Sequence, residues 1–515
     1  MLRIDYQLRP ADLLAAIGRM WELSAEKISA IEQVWANRHD APVFTVQGRY
    51  TSQAWTDWTQ GFQYGSALLQ FDATGQEEFL QLGRRGTLTK MALHLTHIGV
   101  HDHGFNNVST YGNLWRLMAE GRLPENPSER VLYEQALKVS GAVQAARWMR
   151  TADGLGYIYS FNGPHSLFCD TIRSLRSLAL AHQLGHRLCG EQDERISLLE
   201  RLVHHARTTA RYNIYYGQGR DIYDVRGRVA HESLFNPRTG QYRCPSTQQG
   251  YSPFSTWTRG LAWVILGYAE LLEWLDSRAD EELEPFGGRP ELEEFMLEAA
   301  RATADFYIQQ TPTDGIPYWD TGAPGLRYLG DYLDRPADPF NRYEPVDSSA
   351  AAIACQGLLR LGHYLSQRGT EHTHSAPANH NMEEPFQNRS PAQVVRGCGA
   401  QPSAQTELLA AGPAVPAPVS EAVRYFQAGL TVLRTLLSEP YLSTQPDHQG
   451  LLLHAVYHRP RGWDYVPPGH RIPHGESCMW GDYHLREVVL YLGRLAQGAP
   501  YHCFFGPHER KKPPA

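Results

Sequence analysis

Six short segments rich in aromatic, glycine and polar residues each lead straight into a stretch of helical apolar periodicity. They are Trp58-Thr59-Gln60-Gly61-Phe62, His101-Asp102-His103-Gly104-Phe105, Asp170-Thr171-Ile172, Trp257-Thr258-Arg259-Gly260, Asp347-Ser348-Ser349-Ala350 and Trp480-Gly481-Asp482-Tyr483. Apolar residues at three- and four-residue spacing predict helices over Glu26 to Trp35, Asp170 to Leu188, Gly260 to Leu275, Glu291 to Tyr307, Ala350 to Leu365 and Glu421 to Leu437. Alternation of the strand type is sparse. Helical hairpins repeated in this way bury both faces of every inner helix when they close into a ring. The expected fold is therefore all-α, an (α/α)6 barrel of six hairpins closed into a toroid. In that arrangement the six segments meet at one end and their polar residues line a common cavity. The same Asp and Ser residues would serve equally well as plain helix N-caps.

One catalytic domain is expected over residues 1–515. Gln367 to Val419 is rich in Pro, Ala, Asn, Gln and His without an apolar period, and reads as a mobile surface insertion longer than the ~12–15 residues of an ordinary loop. The tail after about Tyr501, ending Glu509-Arg510-Lys511-Lys512, reads as frayed. Forty-eight Lys and Arg against 55 Asp and Glu leave a net charge of -7, so no general positive field exists to hold nucleic acid or an anionic membrane. No secretion signal or membrane span is visible, and seven cysteines without CxxC spacing point to a reducing cytoplasm. The oligomeric state is not legible.

Two carboxylates stand out. Asp102 lies between two histidines, and Asp170 follows a turn and precedes an apolar helix. Brought together, each disfavours ionisation of the other, so that one keeps its proton near neutral pH and becomes a competent general acid. The stretch from Gln248 to Trp263 combines two Gln, several aromatics and Arg259. That mixture suits a sugar acid: rings stack on apolar sugar faces, amides bond hydroxyls and Arg forks onto a carboxylate. His101-Asp102-His103 lacks the further ligands that a metal site needs, so no metal is expected. No GxGxxG, GxxxxGK[ST], HExxH or GxSxG motif occurs.

Taken in order, these segments resemble the unsaturated glucuronyl hydrolases, which act on oligosaccharides left by polysaccharide lyases. His231 with Asn236-Pro237-Arg238-Thr239-Gly240, Gln249-Gly250-Tyr251, Trp319-Asp320 and Leu452-Leu453-His454-Ala455-Val456-Tyr457 extend the match over about residues 25 to 495. The resemblance implies an (α/α)6 barrel, Asp170 as general acid and base, and Asp102 as the carboxylate that orients substrate. It further implies that His231, Gln249, Arg259 and Trp263 line the uronate subsite. The implied reaction hydrates a C4=C5 vinyl ether in the terminal uronic acid, without metal or organic cofactor. Gln63 stands where the family commonly has Trp, Leu261 where it has Gln, and His103 where it has an aliphatic residue. Unsaturated rhamnogalacturonyl hydrolases of pectin breakdown share the chemistry and form one alternative. A non-catalytic sugar-binding toroid is another, although binding alone needs no acid.

Overall fold

The computed structural model describes residues 1–54, 57–374 and 419–507. The helices that follow the six segments are buried nearly all round, the Ser348 helix over residues 348–362, as expected of helices enclosed by others. They are Gln60–Thr74; His103–Asn107, continued through the π turn Val108–Gly112 into Asn113–Ala119; Thr171–Ser174 with Arg176–Gln183; Thr258–Asp276; Ser348–His374; and Met479–Ala496. Every residue from Thr258 to Leu275 is buried, and so is every residue from Met479 to Leu492.

Each of these helices packs on the next. The Gln60 helix touches the His103 helix, which touches the Thr171–Arg176 pair, which touches the Thr258 helix, then the Ser348 helix and the Met479 helix, and the Met479 helix returns to the Gln60 helix. A second tier lies outside: Leu14–Trp35, Glu77–Lys90, Pro127–Ala146, Leu198–Tyr212, Gly288–Gln310 and Glu421–Leu436. These are amphipathic. The Leu198 helix buries Leu198, Leu199, Leu202, Val203 and Ala206 while Glu200, Arg207 and Arg211 face outward.

The glycines of the lead-in segments have a packing reason. A Cβ on Gly61 would fall 2.3 Å from the Asn106 carbonyl oxygen, and one on Gly104 would fall 2.1 Å from that of Ser174. Consecutive inner helices thus meet backbone to backbone at their first turns.

Short strands supplement the helices. Ser166–Phe168, Glu232–Phe235 and Tyr242–Ser246 form an antiparallel sheet in that order, and Asn236 to Gly240 lies in the connection between the last two strands. Beyond the ladder, Cys169 N donates to His231 O at 2.9 Å, which sets Asp170 beside His231.

Three expectations need correction. The helix predicted over Asp170 to Leu188 breaks at Leu175 and stops at Gln183, and Leu188–Cys189 pairs instead with Arg195–Ile196. The insertion predicted from Gln367 begins later, because the Ser348 helix continues to His374. Arg368 anchors that extension, with Nη1 donating to Glu293 Oε2 at 2.6 Å and Nη2 to Asp276 Oδ1 at 2.9 Å. Residues 375–418 of the predicted insertion lie outside the described residues. Nor is the chain frayed after Tyr501: Cys503, Phe504 and Phe505 are buried, and Arg360 Nη2 donates to His502 O at 2.9 Å. Burial of two aromatic rings outweighs the disorder expected of a polar tail; residues 508–515 lie outside the description. Among the described residues no helix is long and apolar enough to cross a membrane.

Candidate active site

A cavity of about 200 Å³ is lined by Asp57, Trp58, Val100, His101, Asp102, Phe105, Phe161, Asp170, Gln249, Trp257, Arg259, Trp263 and Tyr457. Five of the six site residues expected from sequence, Asp102, Asp170, Gln249, Arg259 and Trp263, are therefore neighbours across one small space. The sixth, His231, stands just behind the wall, its ring 4.4 Å from that of Phe168 and 4.9 Å from that of Trp257.

The acids of the lead-in segments divide into two kinds. Asp347 works as a cap and a brace: its Oδ1 accepts from Ser349 N at 3.1 Å and Ser349 Oγ at 2.5 Å, and its Oδ2 meets Arg259 Nη1 at 3.1 Å. Asp482 likewise serves the backbone, accepting from Leu451 N at 3.0 Å, Leu452 N at 2.8 Å and Ser477 Oγ at 2.7 Å. Asp102 and Asp170 also occupy N-cap positions, yet neither side chain makes a capping hydrogen bond. Both are nearly buried and face the cavity, so capping does not account for them.

His101 joins the pair. Its Nε2 lies 3.5 Å from Asp170 Oδ1 and 3.9 Å from Asp102 Oδ1. Phe161 stacks on the imidazole at 6.1 Å between centroids, and Phe168 meets it edge-on at 5.5 Å. The His101 carbonyl accepts from Gln144 Nε2 at 2.9 Å and Ser174 Oγ at 2.6 Å, which fixes the backbone there. His103, by contrast, faces Ser140 Oγ at 3.2 Å and the His97 carbonyl at 3.0 Å, so the two histidines do not converge.

The electrostatics sort the groups. Burial lifts the Asp102 carboxyl above its ordinary range, and neighbouring Asp170 adds to the lift against the opposing pull of His101 and Arg147. Burial also pushes Asp170 upward, but His101 and then His231 outweigh it and hold that carboxyl below the usual range. Burial opposes charge on His101, but Asp102 and Asp170 prevail and raise it above an ordinary imidazole. The lifted carboxyl is thus that of Asp102, whereas an acid that stores its own proton would require Asp170. A third carboxyl, Asp57, is pushed up to about 7 by burial and by Asp102.

Arg259 lines the cavity and is engaged within the protein: Nη1 meets Asp347 and the Val456 carbonyl, and Nη2 donates to Tyr457 O at 2.7 Å and Gln249 Oε1 at 3.1 Å. Trp257 and Trp480 flank it at 4.7 and 4.9 Å. Arg259 therefore builds the wall and orients the Gln249 amide, whose nitrogen is left as the donor end. His231 Nδ1 accepts from Gln248 N at 3.0 Å, so the proton of the neutral ring sits on Nε2. Burial holds that ring down to about 4. Trp263 is almost wholly buried, packed against Phe105 and His484 at 4.8 Å each. Among the same buried helices, Arg173 holds Glu270 at 2.9 Å and Glu487 at 2.6 Å.

Sequence reasoning did not assign Asp57 or the bridging place of His101. Asp57 adjoins the first lead-in segment, so its position was the available signal; its approach to Asp102 is a tertiary fact.

No family model matches the chain. A protein of Formosa agariphila, named unsaturated glucuronyl hydrolase, is 25% identical over 315 residues, 61% of this chain and 64% of that protein. One of the same name from Bacillus sp. strain GL1 is 28% identical over 325 residues, 61% of this chain and 70% of that protein. The chain resembles the unsaturated glucuronyl hydrolases. The crystal structure of the unsaturated glucuronyl hydrolase of Bacillus sp. GL1, described as responsible for the degradation of glycosaminoglycan, superposes with a TM-score of 0.62 at 21% identity, covering 96% of this chain and 98% of that one. That likeness extends through both tiers of helices and establishes the fold shared with an unsaturated glucuronyl hydrolase.

Proposed function

We propose that this protein is an unsaturated glucuronyl hydrolase, removing the 4,5-unsaturated uronic acid from the non-reducing end of lyase-generated oligosaccharides on an (α/α)6 barrel. The cycle of contacts among the six buried helices supports the closed barrel. One observation carries the chemistry: two carboxyls at helix N-cap positions, neither of them capping, share one small cavity with an imidazole between them.

In this reading the unsaturated ring lies among Trp58, Phe161 and Trp257. The Gln249 amide and the His231 region meet its polar groups, and Trp263 supports the cavity wall from within. Protonation of C4 by Asp170 builds oxocarbenium character at C5. Carboxylate charge beside that carbon stabilises it in a site from which bulk water is excluded. Asp170, now ionised, takes a proton from water as the oxygen adds to C5. The hemiketal then opens by breaking C5–O5 to give a ketone, and the hemiacetal left at C1 collapses to an aldehyde, releasing the remaining saccharide with its oxygen protonated. Asp102, carrying its proton, donates a hydrogen bond to a ring hydroxyl without adding a second full negative charge beside the substrate carboxylate. A cytoplasmic site of action accords with the free cysteines.

The test uses unsaturated disaccharides from chondroitin, hyaluronan, heparin and pectin. Consumption is followed by loss of the ultraviolet absorbance of the conjugated double bond. Turnover of a glucuronyl substrate, abolished in Asp170→Asn with the fold retained, is the expected result. Turnover of the pectin fragment alone would move the protein to the rhamnogalacturonyl hydrolases. Binding without turnover of any substrate would leave a sugar-binding toroid.

A further inference from the structure

His101 presents an anomaly that the reaction above does not use. Its side chain is 1% exposed, and neither ring nitrogen makes a hydrogen bond with a described residue; the same is true of the facing oxygen, Asp170 Oδ1. Three buried polar atoms without hydrogen bonds cost about 1–3 kcal/mol each unless the site has a use for them. They belong to the two groups whose proton inventory matters most. Nε2 stands 3.5 Å from Asp170 Oδ1, a separation that a small ring movement converts into a hydrogen bond, with Asp102 Oδ1 at 3.9 Å on another side. The ring is confined by Phe161 and Phe168. Its backbone is tied through Gln144 and Ser174.

We propose that His101 is the positioning residue that stores the proton Asp170 delivers, carrying it on Nε2 between turnovers and passing it to Oδ1 when substrate fills the cavity. The proposal rests on the hydration reading and deepens it. The proton inventory closes. In the free enzyme the pair is imidazolium and carboxylate. Transfer from Nε2 to Oδ1 gives neutral imidazole and carboxylic acid, and the acid gives that proton to C4. The carboxylate then removes a proton from the water that adds to C5, and the regained proton returns to Nε2. One water is consumed, and the pair ends as it began.

The arrangement also accounts for the electrostatic finding. Asp170 is held below the usual carboxylate range by the very group that lies beside it, so it needs a neighbour to supply its proton at neutral pH. His101 is raised by the same contact and by Asp102. The substrate brings a carboxylate of its own into the cavity, which favours collapse of the ion pair to its neutral form.

The experiment compares pH–rate profiles of the wild type and of His101→Gln and His101→Asn, on whichever unsaturated disaccharide the wild type consumes. We expect kcat to fall about 100-fold or more, the scale of a lost proton-transfer partner, with KM within about threefold. We also expect the descending alkaline limb to move to lower pH, since a carboxyl alone must then hold the proton. A fall in kcat with an unmoved alkaline limb would reduce His101 to a packing role and overturn the inference. Should neither variant fold, the wild-type limb decides: ionisation of an imidazole shifts markedly with temperature and that of a carboxyl scarcely moves. A temperature-independent limb overturns the inference. If the wild type consumes none of the substrates, the hydration reading itself has failed, a result distinct from active wild type with an unaltered variant profile.

Discussion

Arg259 Nη1 lies 3.1 Å from Asp347 Oδ2, with both side chains buried. The pair ties the start of the Thr258 helix to that of the Ser348 helix, and through Gln249 and the carbonyls of Val456 and Tyr457 it draws two loops onto the cavity wall. Removing one partner of a buried ion pair leaves the other uncompensated, at about 3–5 kcal/mol. Arg259→Ala is therefore expected to lower the unfolding free energy by that amount in urea titration. Unchanged stability with a large rise in KM would restore Arg259 as a direct ligand of the substrate carboxylate.

Asp57 makes stability depend on pH. Its carboxyl is lifted to about 7 in the folded protein, whereas the unfolded chain ionises near the ordinary aspartate value of about 3.9. The native state thus holds a proton that the unfolded state has lost, and the protein loses stability as pH rises from about 4 through about 7. Asp57→Asn removes that penalty. Its melting temperature should exceed that of the wild type at pH 8, and the difference should shrink at pH 5. Equal differences at both pH values would show that the ionisation of Asp57 is not the cause.

His231 stays neutral throughout the working range, since burial holds it down to about 4. If it contributes to substrate binding it does so as an Nε2–H donor, without charge. His231→Gln should therefore raise KM by roughly the 1 kcal/mol of one neutral hydrogen bond, about fivefold, and by the same factor at pH 5.5 and at pH 8. A factor that shrinks toward one with loss of a proton near the ordinary imidazole value of about 6.5 would assign binding to an imidazolium.

The buried segment around Phe504 has its own test. Phe504 is 3% exposed and its ring lies 5.8 Å from the Arg176 guanidinium. Phe504→Ala is expected to cost about 3–5 kcal/mol, as for other buried Phe truncations, read from the urea midpoint. A loss below 1 kcal/mol would mean that the segment adds little to the fold.

The helical organisation was legible because each inner helix begins with the same local chemistry, aromatic, glycine and polar residues before an apolar run, and each outer helix is amphipathic. The pairing of Asp102 with Asp170 was legible only through that organisation. Asp102, Asp170 and Asp347 each precede the first turn of an inner helix and Asp482 lies within one, and nothing local separates the capping Asp347 or the loop-bracing Asp482 from the two that face the cavity. The commitment of Arg259 to Asp347 was hidden for the same reason, since 88 residues separate the partners. Cys503, Phe504 and Phe505 looked frayed because Pro, Gly and charged residues flank them, and the segment is held by tertiary contacts to Arg360 and Arg176, far away in the chain.

The backbone contact of Gly104 with Ser174 O has an evolutionary consequence. It lies two residues from Asp102 and four from Asp170, so the spacing of the two acids is set by main-chain geometry, which no side-chain replacement can retune without prising the helices apart. Diversification in such a scaffold is pushed outward, into the loops that carry Gln249 and Tyr457. Those can drift toward new saccharides while the acid pair keeps its gauge.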